Sequence, residues 1–318
     1  MAKITALGEV LIDFAPVATD ESGYPTLKAN PGGAPMNFLA AVVKYGHQGS
    51  MIGKVGDDAF GSLLQSTLKG CGIDTSGMIK DKDTFTTLAF VTLDEKGDRR
   101  FSFARKPGAD TQLKAADIDT GLIENCDVFH FGTLSLTHSP AKEATIYALD
   151  MAKNKGKLIS YDPNLRLSLW ESSDDAKRAM LTGLGYADVV KISDEEVEFL
   201  WGCSCEEGAE KIIKEYGAQL VYVTLGEKGC YYATEKEKGY VNNPAGIKAV
   251  DTTGAGDIFG GSAMSRLLKT GKQPAQLTKA ELEEICRFAT CAAALSTQSV
   301  GGFTSIPDEE EIRKLLNR

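Results

Sequence analysis

Basic clusters are missing from this 318-residue chain. Its 35 Lys and Arg stand against 44 Asp and Glu, a formal net charge of −9. A nucleic-acid partner is thereby excluded, since neutralising phosphates takes a cationic stripe. Histidines number three (His47, His130 and His138), with no cysteine cluster beside them, so no transition-metal site can be assembled. The seven cysteines are odd in number and scattered. Cys203 and Cys205 lack the spacing of a zinc knuckle or redox pair, and reduced thiols are expected. A basic leader with an apolar core is also absent, the sequence entering a strand-like run at Ile4. The longest uncharged stretch, Phe288 to Ile306, is full of Ser, Thr, Gln and Gly, a poor membrane span. These absences predict a cytoplasmic protein without a membrane partner.

Two phosphate-binding signatures are lacking as well. Gly53-Lys54, Gly156-Lys157 and Gly271-Lys272 are followed by Val, Leu and Gln, so the Ser/Thr of a P-loop is missing. Gly254-Ala255-Gly256 continues to Phe259 where a dinucleotide fingerprint needs its third glycine. A nucleotide, if bound, is held by another arrangement.

What is present reads as one α/β domain over residues 1–318, with 42% hydrophobic and 25% charged residues. Short apolar runs at Ile4–Ile12, Ser50–Lys54, Val128–Gly132, Leu158–Tyr161, Val189–Ile192 and Leu220–Thr224 predict strands. Amphipathic stretches between them, such as Asn37–Tyr45, Ala59–Lys69, Lys142–Lys153, Asp174–Leu184 and Ala209–Tyr216, predict helices and a mostly parallel sheet. Gly254–Leu268, Lys279–Thr297 and Asp308–Leu316 add three more helices. Thr84–Leu93 and Arg99–Arg105 instead alternate apolar and polar residues around Asp94–Asp98, as an antiparallel hairpin does. With an extended piece at Phe14–Leu27, they predict a small β-sheet lid built from about 14–28 and 84–106.

The sharpest local signal is Asp251-Thr252-Thr253-Gly254-Ala255-Gly256-Asp257 before a helical run. Small residues there let amides converge on an anion, and the helix macrodipole adds positive potential. A carboxylate beside that anion is awkward unless it takes a proton from an attacking hydroxyl. A bare Gly-x-Gly-Asp also suits a capped turn; the seven-residue string is more specific. Pro31-Gly32-Gly33-Ala34-Pro35-Met36-Asn37 likewise precedes a helix, and Asn37 offers a donor and an acceptor to sugar hydroxyls. Asp13 lies near the end of the first strand run, where open α/β sheets bind ligands.

These two blocks, about 220 residues apart, resemble the two signatures of the ribokinase-like (PfkB) carbohydrate kinases. The likeness runs through the chain. Gly8–Asp13, Gly-Gly-Ala-Pro at 32–35, Phe101–Arg105, Ala109-Asp110, Tyr161–Arg166 and Lys191–Glu196 look like the fructokinase branch. Ala34-Pro35, where ribokinases usually carry lysine after the double glycine, argues against ribose.

The resemblance implies a ribokinase-like fold and an ATP-dependent kinase that makes fructose 6-phosphate. A 2-keto-3-deoxygluconate kinase, and a non-catalytic sugar sensor, are the alternatives. By similarity Asp257 is the base, and the amides of Gly254, Ala255 and Gly256 hold the developing charge. Asp13, Gly33 and Asn37 hold the sugar. Arg105 reaches in from the lid to the sugar or the transferred phosphate, and Arg166 reaches the phosphates, both as substrate-binding residues. Ser193 and Glu196 match an Asn-x-x-Glu element acting on Mg²⁺ and ATP, although Ser-x-x-Glu is also a helix cap. Thr224, Gly226 and Gly229 lie near ATP. Asp251, Thr253, Ser296, Ser299, Gly301 and Ser305 match a monovalent-cation (K⁺) site, mostly through carbonyls. Lid edges offer pairing for a homodimer.

Overall fold

Uninterrupted apolar runs such as Val128–Gly132 become strands buried along their whole length, as parallel strands covered on both faces must be. The computed structural model describes residues 1–93 and 99–317. The chain opens with strands β1 (Lys3–Leu7), β2 (Leu11–Thr19) and β3 (Pro25–Gly32), then helix α1 (Ala34–Lys44), β4 (Gln48–Gly56) and α2 (Ala59–Gly70). Short strands β5 (Ile73–Asp74) and β6 (Met78–Asp81) follow, then β7 (Leu88–Leu93) and β8 (Arg99–Ala104). Next come α3 (Thr120–Glu124), β9 (Val128–Gly132), α4 (Ala141–Asn154), β10 (Leu158–Asp162), α5 (Ser173–Leu184) and β11 (Val189–Ser193). After them stand α6 (Asp194–Trp201), α7 (Cys205–Tyr216), β12 (Leu220–Thr224), β13 (Cys230–Ala233) and β14 (Lys238–Val241). Helices α8 (Ala255–Thr270), α9 (Lys279–Ser296) and α10 (Glu309–Leu316) close the sequence.

The large sheet has the order β14-β13-β12-β11-β10-β9-β1-β4-β5, with β6 also pairing β4. From β12 to β5 the pairing is parallel, and the pairings of β12 with β13 and of β13 with β14 are antiparallel. One core lies under α1, α8 and α9, the other under α4, α5 and α7. Among the described residues no helix is long and apolar enough to cross a membrane.

The small sheet has the order β3-β2-β7-β8. The expected β7–β8 hairpin is present; its turn, Asp94–Asp98, lies outside the described residues. The extended piece expected at Phe14–Leu27 is a hairpin of β2 and β3. The run Ile4–Ile12, expected as one strand, is two. The backbone passes so close to Pro35 at Gly8 that a Cβ there would lie 2.7 Å from its ring. Beyond it the chain leaves the large sheet for the small one.

Candidate active site

Parallel strands bring their carboxyl ends to one edge, where open α/β sheets collect ligands. A cavity of about 310 Å³ opens there. Glu9, Leu11 and Asp13 line it where β1 passes into β2, and Gly33, Ala34 and Asn37 where α1 begins. Phe103 comes from β8 and Leu134 from the loop after β9, Asn164 and Arg166 from the loop after β10, and Lys191 from β11. Thr252, Thr253, Gly254, Gly256 and Asp257 complete it at the start of α8. The two glycine-rich blocks thus meet in space, as their chemistry requires.

Each block depends on one glycine in particular. Gly33 holds φ of 124°, and a Cβ there would sit 2.4 Å from the Glu9 carbonyl oxygen. Gly254 caps α8 with φ of 75°, and a Cβ would meet Gly302 Cα at 2.9 Å. Neither position tolerates a side chain without moving the cavity wall.

Asn37 joins the blocks. Its Nδ2 donates to Asp257 Oδ2 at 2.8 Å, and its Oδ1 accepts from the Phe303 amide at 2.9 Å. Both groups that the sequence offers to a sugar are thus already engaged once within the protein. Its oxygen already accepts from the backbone and one of its hydrogens is given to Asp257, leaving one N–H and one oxygen lone pair for a ligand.

Asp257 stands in the first turn of α8. Burial pushes its carboxyl up to about 7, and the charge of Asp162 adds to that; Asn37, Lys191 and Arg166 pull the other way. A carboxylate that ionises near neutrality suits proton transfer. Burial likewise raises Asp13 to about 6 against the pull of Arg166. The amide of Ala255, expected among the anion-holding groups, donates to the Thr252 carbonyl at 3.2 Å and closes a turn.

Arg105 is placed elsewhere than expected. It does not line the cavity. Its Nε donates to Asp110 Oδ2 at 2.8 Å, with Nη2 2.7 Å from the same oxygen. Nη1 reaches Thr137 Oγ1 at 2.8 Å and Nη2 the Leu134 carbonyl at 3.0 Å. The residue leaves the alternation of β8, which ends at Ala104, and turns inward to a buried carboxylate. It braces the small sheet against the loop after β9.

Ser193 and Glu196 form the capping box of α6. Ser193 Oγ accepts from the Glu196 amide at 3.1 Å, and Glu196 Oε2 accepts from the Ser193 amide at 2.8 Å. Glu196 Oε1 also accepts from the Leu165 amide at 2.7 Å, tying the loop after β10 to α6. Thr224 sits beside Ser193 in the parallel register, so Ser193, Thr224, Gly226 and Gly229 occupy the same sheet edge, next to the cavity rather than lining it. Of the predicted cation set, Asp251 binds the amides of Thr253 and Gly301 at 2.7 and 3.0 Å. Ser296 accepts from the Ser299 amide at 3.3 Å, and Ser305 Oγ donates to the Gly302 carbonyl at 2.7 Å.

Lys191 and Asp162 went without a role in the sequence, although Lys191 lines the cavity and Asp162 binds its ammonium. Their signal was a charge inside the apolar run Val-Val-Lys-Ile-Ser and another closing Leu-Ile-Ser-Tyr-Asp. Glu9 was missed too; it binds the Ala34 amide at 3.1 Å, and burial raises it to about 7.

Comparison with known proteins follows the same lines. The pfkB family of carbohydrate kinases matches residues 1–309. Fructokinase-2 of Solanum lycopersicum is 40% identical over 316 residues, covering 98% of this chain and 95% of that protein. Fructokinase-1 of Oryza sativa subsp. japonica is 39% identical over 317 residues, covering 98% and 97%. A crystal structure of fructokinase from Xylella fastidiosa with bound ATP has a TM-score of 0.90 at 28% identity, covering 99% and 98%. Fructokinase from Vibrio cholerae O395 in its fructose-, ADP- and calcium-bound form has a TM-score of 0.86 at 32% identity, covering 99% of each chain.

Proposed function

The chain belongs to the pfkB family of carbohydrate kinases, in its fructokinase branch, and from that premise we propose that it phosphorylates D-fructose to fructose 6-phosphate with ATP, in the cytoplasm. The observation that carries this reading is Asp257. It is a carboxyl poised near neutrality in the first turn of a helix whose N-terminus opens on the cavity.

In this mechanism Asp13, Gly33 and the remaining N–H of Asn37 hold the sugar. Asp257 accepts the proton of the 6-hydroxyl as its oxygen bonds to the γ-phosphorus. The bond from that phosphorus to the ADP oxygen breaks in line, and Asp257 later returns its proton to solvent. The amides of Gly254 and Gly256, and that of Ala255 once it releases Thr252, take up the charge on the phosphoryl oxygens. Arg166 meets the same phosphates, while Ser193, Thr224, Gly226 and Gly229 hold the nucleotide. Small-sheet closure would exclude water, and its edges would pair two copies into a homodimer.

Mg²⁺ entering with ATP would neutralise phosphate charge. Glu196 fits it, because each oxygen accepts one backbone N–H and keeps a lone pair for a metal-bound water. The hard oxygens of Asp251, Thr253, Ser296, Ser299, Gly301 and Ser305 suit K⁺. The Asp251 carboxylate gathers the Thr253 and Gly301 backbones in the manner such a site needs.

ADP release measured across a sugar panel tests the reading. Fructose should be turned over well; an inert fructose beside rapid turnover of 2-keto-3-deoxygluconate would reverse it. The pH profile supplies a second check. Asp257 must be ionised to act, and its raised pKa means that kcat/KM falls tenfold per pH unit below about pH 7. Asn37→Ala is expected to lower kcat about 10- to 100-fold, the worth of a hydrogen bond to a charged group. Steady-state kinetics on a variant with an unchanged melting curve would measure it.

A further inference from the structure

Lys191 stands in an apolar strand, between the fully buried Val190 and Ile192. Its ammonium lies 3.0 and 3.2 Å from the two carboxylate oxygens of Asp162, and its side chain is 13% exposed. A Cβ added to Gly256 would lie 2.9 Å from its Nζ, so the charge rests against the first turn of α8. The same residue lines the cavity beside Asp257 and Gly254. Among the described residues its hydrogen bonds are the two to Asp162, and an ammonium has three hydrogens.

Stability alone explains this pair poorly. Desolvating two charges commonly costs as much as their attraction returns, and apolar residues of equal volume do as well or better. Burial disfavours the ammonium here, and the carboxylates of Asp162, Glu196 and Asp257 outweigh it, so Lys191 stays charged. Burial pushes the Asp162 carboxyl up, and the ammonium of Lys191 pulls it back; the double contact is the geometry of an ion pair.

Building on the kinase reading above, we infer that Lys191 is a catalytic cation, held by Asp162 against the first turn of α8 so that its ammonium contacts the oxygens of the phosphoryl group in transit. Asp162 then has a defined task. It keeps the lysine at the amides that open α8 and away from Asp257, whose charge a freed ammonium would quench.

The test compares the full-length wild type with K191M. Turnover is read on fructose, or on whichever sugar of the panel the wild type prefers, so the inference is judged separately from the sugar assignment. Calorimetry with sugar present compares ADP alone with ADP plus fluoroaluminate, which mimics the transferred group. K191M should lose about 10²-fold in kcat and a similar factor for the fluoroaluminate complex, with ADP affinity within about threefold of wild type. Because K191M strands a buried carboxylate, K191M/D162N, which removes both charges, should fold and show the same losses. Either folded variant with kcat within about threefold of wild type would overturn the inference. So would equal losses of affinity for ADP and for its fluoroaluminate complex.

Discussion

Asp257→Asn is expected to lower kcat by about 10²–10⁴-fold while sugar binding stays close to normal. Asparagine keeps the shape, and its amide oxygen still accepts the 2.8 Å bond from Asn37 Nδ2. The link between α1 and α8 therefore survives, and only proton acceptance is lost. The near-neutral limb of the pH profile should vanish with it, since the group that titrates there is gone. Single-turnover measurements with saturating ATP and sugar separate this from slow product release. Turnover within a few-fold of wild type would remove Asp257 from the chemistry.

Arg105→Met should cost about 3–5 kcal/mol of stability, the usual penalty for taking one partner from a buried ion pair. Both side chains are almost fully enclosed, at 2% and 3% exposure, so solvent does little to soften the loss. Asp110 would keep only the hydroxyl of Thr87 as a polar partner among these contacts. Denaturant unfolding measures the change. The double variant Arg105→Met/Asp110→Asn should recover much of it, because no charge is then left stranded. A direct sugar contact would behave otherwise, with KM rising many-fold while the unfolding midpoint hardly moved.

Much of this architecture was legible because its signals are local. Val128–Gly132 and Leu220–Thr224 have the strand bounds their apolar runs imply. The glycine blocks fall at helix starts because tight turns demand them. Helix α7 begins at Cys205, four residues before its expected start, because Ser204 and Glu207 form a capping box ahead of the buried stripe. What escaped was set by partners distant in sequence. Lys191 meets Asp162 across neighbouring strands, 29 residues apart. Asn37 finds Asp257 220 residues away, a pairing that no periodicity announces. Arg105 was expected at the ligand from the resemblance alone, yet Asp110, five residues on, claims its guanidinium.

The chain enters the small sheet at Gly8–Val10 and leaves it for α1 at Gly33, and both joints border the cavity through Glu9 and Gly33. A molecule seated there rests on the joints of the protein rather than on a wall beside them. Any swing of the smaller sheet must bend the backbone that grips the guest, so occupancy and posture become one variable. Stiffening a joint would therefore alter grip and movement together, even with every contacting side chain left in place.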